Sequence, residues 1–181
     1  MGSLKNQILI SMPHMTDLFF SKSVIYICEH NHNGAMGIII NKKFKDQQLK
    51  TILETMVQKK NPNLKEMFFG GPVLLEKGIV LHESKHQSEK TVSISKSISI
   101  TGTLDILGEL QSKSNVSFKL LLGHSGWSGG QLEKEIENGD WLIQNTTPDF
   151  VFNVHPDQMW TQAAESLGID FGLSSNISGK A

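Results

Sequence analysis

Apolar positions fall in short blocks, and most of the blocks read as strands. Gln7 to Met12 is an apolar run closed by Pro13, as a strand would be. Ser23 to Glu29 carries Val24, Ile25, Tyr26, Ile27 and Cys28 almost without interruption, the pattern of a strand covered on both faces. Asn31-His32-Asn33-Gly34 is a turn signal, and Ala35 to Asn41 is the next strand. Together they predict a β-hairpin in which Gly34 is free to take a positive φ. From Asp46 to Lys59 the period changes. Leu49, Ile52, Leu53, Met56 and Val57 make one helical stripe, with Asp46 as N-cap and Pro62 shortly past the end.

Met67 to Phe69 predicts a short strand entering Gly70-Gly71-Pro72-Val73, and Ile79 to His82 another. Thr91 to Thr101 alternates Val92, Ile94, Ile98 and Ile100 with Ser and Lys, which predicts strands with one wet face. A helix around Leu104 to Leu110, a strand from Val116 to Leu122 and a short helix from Gln131 to Glu137 follow. Strands are expected at Trp141 to Ile143 and Phe150 to Phe152, then a helix from Asp157 to Leu167. Helices are placed irregularly among many strands, so the class is α+β and not a regular βαβ alternation.

Composition narrows the picture. The chain has 181 residues, 38% of them in the apolar set, enough for one domain with its own core. No linker or repeat divides it. Residues 1–170 are read as a single domain, and the Ser/Gly/Asn-rich stretch 171–181 as a mobile tail. The one cysteine, Cys28, cannot form an internal disulfide and is expected to be a buried, inert thiol. No apolar run is long enough to span a bilayer, and no signal-peptide pattern opens the chain. A cytoplasmic protein without membrane contact is the expectation.

Net charge is −1, but its distribution is uneven. Lys42 to Lys65 holds seven Lys against Asp46 and Glu54, whereas Gly129 to Ala181 holds two Lys against eight acids. All 17 basic residues are Lys and none is Arg. Arg supplies the bidentate forks that read guanine edges, so sequence-specific DNA binding is not expected. Lys alone can still hold backbone phosphates.

Several literal motifs carry chemistry elsewhere. His82-Glu83-Ser84-Lys85-His86 matches H-E-x-x-H, which binds zinc when a helix places both imidazoles on one face. Here the first His closes a strand-like run, and Gln87 to Lys90 offer no apolar face for a helix. A strand-to-loop transition is expected instead. Gly126-Trp127-Ser128-Gly129-Gly130 matches G-x-S-x-G. Its only downstream His is His155, and the segment reads as a Gly-rich turn around Trp127. Ser93 to Lys96 matches S-x-x-K without its companion motifs. Glu29-His30 with His32 lacks a second ligand cluster nearby in sequence. No Walker loop and no G-x-G-x-x-G following a strand are present, so neither a metal nor a cofactor is expected.

Taken together, the blocks Gln7–Pro13, Ser23–His30, Gly34–Lys42, Gly70–Val73, Gly126-Trp127 with Gly130–Glu133, Trp141-Leu142, and Trp160 with Ala163-Ala164 and Leu167–Ile169 resemble the AlgH/YqgE-type family of bacterial proteins. The likeness spans nearly the whole chain. It implies an α+β fold: a mixed, branched β-sheet with a small barrel-like closure, surrounded by helices. It also implies a bacterial cytosolic protein, in a family one branch of which carries the label of transcriptional regulator of exopolysaccharide (alginate) production. The chain departs from the family pattern at His124 and Ser125, where Tyr and Ala are usual. Ser128, Glu83 and His86 also lie outside that pattern.

The residues then favour a non-catalytic binding or regulatory protein. Polar or Gly-rich positions at strand ends bind more often than they pack, which selects Glu29, His30, Asn31, Asn33, Asn41, Gly70, Gly71, Pro72, Trp127 and Gln131. No catalytic residue is assigned. The partner expected is a protein or a small molecule, and the sequence sets no oligomeric state. The alternatives are direct transcriptional regulation, and an enzyme using Glu29 or His30 as general base near Trp127. The last requires Glu29, His30 and Trp127 to line one pocket.

Overall fold

The computed structural model describes residues 2–44 and 66–172. Its strands are β1 (Gln7–Ser11), β2 (Val24–Asn31), β3 (Gly34–Ile39), β4 (Phe68–Phe69), β5 (Val73–Glu83), β6 (Thr91–Ser93), β7 (Ile98–Thr101), β8 (Phe118–Ser128) and β9 (Trp141–Asn145). The helices among the described residues are α1 (Ile106–Ser112), α2 (Gln131–Glu137), α3 (Pro148–Asn153) and α4 (Pro156–Ser166). The predicted helix over 46–59 and most of the Lys42–Lys65 patch lie outside the described residues.

One mixed sheet runs in the spatial order β6-β7-β5-β8-β3-β2-β1-β9, and it branches at β8. One edge of β8 pairs with β5. The other edge pairs in parallel with β4 through Phe68↔Leu121, then antiparallel with β3 through Gly37↔Ser125. β4 is wedged where β3 and β8 splay apart. The Gly70 amide donates to the Leu122 carbonyl and the Gly70 carbonyl accepts from the Ile39 amide, both at 2.8 Å.

The apolar runs bury two faces, as their continuity predicted. Ile8, Ile10, Val24, Tyr26, Ile38 and Ile40 face one core, which α3 and α4 close with Val151, Met159, Trp160, Ala163 and Ala164. Leu9, Ile25, Ile27 and Ile39 face the opposite core with Leu132 of α2, Trp127 and Trp141. Register makes this a continuous row, Ile143–Leu9–Ile25–Ile39, across four strands. Each such side chain fully buried contributes about 1.5–3 kcal/mol. A third core, with Val80, Leu120 and Leu122, packs α1 on the β5–β8 pair. The sheet curls into a half-barrel. Ile94 and Ile98 from the β6–β7 hairpin join the first core beside Ile8 and Tyr26, and Lys5 Nζ donates to the Ser93 carbonyl at 3.1 Å.

Three expectations are corrected. Phe150 to Phe152 is helical, not extended. Pro148 occupies the first turn and Thr147 caps it, its hydroxyl accepting from the Phe150 amide at 3.2 Å, so local start signals outweigh the β-propensity of the aromatic pair. The polar face of β7 is not wet, because Ser99 and Thr101 are fully buried. Thr101 Oγ1 lies 2.8 Å from His82 Nε2 and 2.7 Å from Thr91 Oγ1. Finally, β8 continues through Ser128, so only Gly129 and Gly130 of the Gly-rich segment form the turn. At the C-terminal end Phe171 is buried and stacks on Trp160 with centroids 4.5 Å apart; residues 173–181 lie outside the described residues.

Candidate functional site

Trp127 is placed near the end of β8, opposite Ala35 of the β2–β3 hairpin. Gly34 makes that approach possible. It has φ +141°, and a Cβ there would lie 2.1 Å from the Trp127 carbonyl. Behind Trp127 runs α2, whose Gln131 and Glu135 share a face at i, i+4. Glu135 Oε2 accepts from the indole Nε1–H of Trp127 and from that of Trp141, both at 2.9 Å. Glu135 Oε1 accepts from Gln131 Nε2 at 3.0 Å. The two indoles meet edge to face, 6.3 Å apart at 82°, and Phe20 meets Trp141 in the same manner at 5.9 Å. One carboxylate thus fixes two aromatic walls and one amide.

These groups border an open groove of about 520 Å³. Asp17 and Asp140 complete it, Asp140 Oδ1 lying 3.0 Å from His14 Nε2. Asp17 Oδ1 accepts from the Phe19 and Phe20 amides at 2.7 and 2.8 Å, which sets the loop that forms the outer wall. A second cavity of about 230 Å³ lies on the hairpin side of Trp127, lined by Glu29, Asn31, Asn33 and Met36. Between them the two cavities hold four carboxylates, and no lysine lines either among the described residues.

The residues expected at a site separate into two sets. Glu29, Asn33, Trp127 and Gln131 border these cavities. His30 does not. The Leu4 amide donates to its Nδ1 at 3.0 Å, so the ring proton is on Nε2, where it is donated to Glu133 at 2.9 Å. With its side chain 6% exposed, His30 fastens the N-terminal segment to α2. Glu133 is held below the usual carboxylate range, first by its own backbone amide and then by His30. The pocket that an enzyme reading required therefore contains Glu29 and Trp127 but not His30.

Asn41 is a structural clamp, accepting from the Val24 amide at 2.8 Å and donating to the Lys22 carbonyl at 3.0 Å. It also borders a separate surface cavity with Lys42 and Trp160. Gly70 and Gly71 serve the branch point. A Cβ on Gly71 would lie 2.2 Å from the His124 carbonyl carbon, and one on Gly123 would lie 2.2 Å from the Gly71 oxygen. Pro72 follows them, half-buried, and lines neither cavity.

The literal motifs resolve in the same way. His82 and Glu83 end β5 and Ser84-Lys85 turn, so the helix that H-E-x-x-H needs does not form. His82 donates from Nδ1 to the Glu83 carbonyl at 2.8 Å and accepts at Nε2 from Thr101. Burial pushes its pKa down. Ser128 donates its hydroxyl to Gln131 Oε1 at 3.1 Å, whereas His155 lines a different cavity. Burial raises the Cys28 thiol to about 12, in accord with an inert thiol.

A family model described as AlgH-like matches residues 8–172. A UPF0301 protein of Shewanella frigidimarina is 41% identical over the full length of both chains. The chain belongs to the AlgH-like family. A UPF0301 protein of Thioalkalivibrio sulfidiphilus is likewise 41% identical, over 99% of this chain and 98% of its own. The solution structure of the AlgH protein from Pseudomonas aeruginosa superposes with a TM-score of 0.75 at 30% identity, covering 99% of this chain and 96% of that one. A crystal structure of a Corynebacterium diphtheriae protein shares the fold, with a TM-score of 0.70 at 20% identity over 92% of this chain and 87% of that one.

Of the residues lining the groove of this AlgH-like chain, sequence reading singled out Trp127 and Gln131 but not Glu135, Trp141, Asp140, Asp17 or His14. Glu135 sits in Glu133-Lys134-Glu135-Ile136-Glu137, which reads as the solvated face of a short helix. The signal available was its i, i+4 relation to Gln131. Asp17 and His14 come from a loop that no periodicity announces.

Proposed function

We propose that this AlgH-like protein is a non-catalytic binding or regulatory protein of the cytoplasm. Its recognition surface is the groove around Trp127, Gln131, Glu135 and Trp141, and it takes a basic group: a Lys or Arg side chain of a partner protein, or a small amine. The observation that carries this reading is electrostatic. Two cavities meeting at Trp127 hold Glu29, Asp17, Glu135 and Asp140 without a lysine among the described residues, in a chain with 17 Lys and a net charge of only −1. Aromatic walls beside carboxylates favour a cation twice, through charge and through the ring faces. The engaged nitrogens of His30 support binding over general-base chemistry. The lone buried Cys28 supports a reducing compartment.

Fluorescence anisotropy with labelled Lys-rich, neutral and Glu-rich peptides of equal length tests the reading. The Lys-rich peptide is expected to bind, more weakly at high salt and more weakly still to Asp140→Asn. Equal binding of all three peptides overturns the proposal. Direct regulation at DNA rests on the Lys42–Lys65 charge patch. It would be favoured if a promoter duplex bound about a hundredfold more tightly than random duplex at ~150 mM salt; without an Arg, weak and sequence-indifferent binding is expected.

A further inference from the structure

Lys119 lies in β8 with only 6% of its surface exposed. Among the described residues no carboxylate reaches within ion-pair distance of its Nζ; Glu66, which faces it, is bound to Lys43 at 2.8 Å. Among the described residues Nζ makes one long hydrogen bond, 3.3 Å to the Ile40 carbonyl, and lies over the Phe68 ring, 4.9 Å from its centre. A buried ammonium ordinarily has a counter-charge, because desolvation is costly without one.

The same side chain lines a cavity of about 610 Å³, within the size range of small-molecule sites. Its walls are mostly apolar, from Phe68, Phe118, Leu120, Phe152 and Val154, with the polar Asn153 among them. Their origin is specific to the fold. β4 and β8 supply one wall, and the α3 helix that replaced the expected strand at Phe150–Phe152 supplies Phe152. Among the described residues, the other charged or titratable groups on the cavity are Glu66 and His155, both solvent-exposed, so water screens them far more than it screens Lys119. This cavity shares no lining residue with the Trp127 groove.

We propose that this cavity binds a small organic acid with an apolar body, whose carboxylate pairs with Lys119 Nζ. The apolar walls take the body, and the ammonium gains the anion that the described residues do not supply. Burial lowers the Lys119 pKa to about 8, so near pH 7 the amine is still mostly charged and a carboxylate can pair with it.

The probe is 1-naphthylacetate, compared with its neutral isostere 2-(1-naphthyl)ethanol. Each is titrated into the full chain by calorimetry at about pH 7. A charge-assisted hydrogen bond predicts that the acid binds about tenfold or more tightly than the alcohol. Lys119→Met keeps the stem and removes the charge; it should abolish that preference while circular dichroism and cooperative urea unfolding show a folded protein. Amide resonances of Phe118–Leu120 and of 152–155 should shift on binding to the unsubstituted chain. Equal affinity for acid and alcohol, a preference retained in Lys119→Met, shifts confined to other segments, or no binding of naphthylacetate at about 10 mM each overturns the proposal.

Discussion

Replacing Lys119 by Met should stabilise the protein near neutral pH, and the gain should disappear in alkali. Burial is the main cause of the fall in this group from 10.5 to about 8. At about 1.4 kcal/mol per pH unit, the charged form costs the folded state about 3 kcal/mol. The sign follows from linkage. Below pH 8 both folded and unfolded chains carry the proton, so the cost is fully present. Between 8 and 10.5 the folded chain releases the proton while the unfolded chain keeps it, and the cost fades. Above 10.5 it is gone. Met matches the stem in size but leaves the Ile40 carbonyl without its donor, a loss of about 1 kcal/mol. Lys119→Met should therefore be about 2 kcal/mol more stable than the unsubstituted chain at pH 7. By pH 10.5 it should be about 1 kcal/mol less stable. Urea unfolding followed by circular dichroism at a series of pH values measures both curves. Their difference is what matters, because Cys28 and Tyr26, both raised by burial, lose native stability above their unfolded values in both proteins. A difference that stays constant with pH would refute the reasoning, as would a variant less stable at pH 7.

Other changes follow from the same geometry. Glu135→Ala should lower stability by about 2 kcal/mol or more, since two buried indole N–H groups lose their acceptor; urea unfolding read by tryptophan fluorescence checks it. Gly34→Ala should cost about 2 kcal/mol or more, because the new Cβ collides with the Trp127 carbonyl at a positive φ, and thermal unfolding measures it. The Cys28 thiol should resist a disulfide-exchange reagent at pH 8 until denaturant is added; rapid stoichiometric reaction in buffer contradicts the burial argument. His82 is held neutral by burial, so stability should decline as pH falls from about 6.5 through its lower folded value, and His82→Gln should flatten that decline.

The strands were legible where burial demanded it. The unbroken run Val24–Cys28 required cover on both faces, and it has it. Alternation in β7 was legible as two unlike faces but not as to which one met water. Ser99 and Thr101 look solvated in sequence, yet they hydrogen-bond inside the curl, a consequence of the sheet bending back on itself. The groove was half legible. Trp127 stood out as a large aromatic beside glycines. His30 stood out too, but its role depends on the Leu4 amide and on Glu133, 26 and 103 residues away. No local pattern encodes such a pairing. Lys119 read as one Lys in a strand; only the tertiary fold brings Phe68 of β4 and Phe152 of α3 to the cavity it lines.

The claim that the Trp127 groove takes a basic group is tested most directly by the indole N–H resonances. The chain has three Trp. Those of Trp127 and Trp141 report on Glu135, while that of Trp160 reports on the Ser11 carbonyl in the opposite core. Titration of the ¹⁵N-labelled protein with a Lys-rich peptide should move the Trp127 and Trp141 signals together, saturably, and leave Trp160 in place. Binding that leaves both groove indoles unmoved, or that an acidic peptide reproduces, contradicts it.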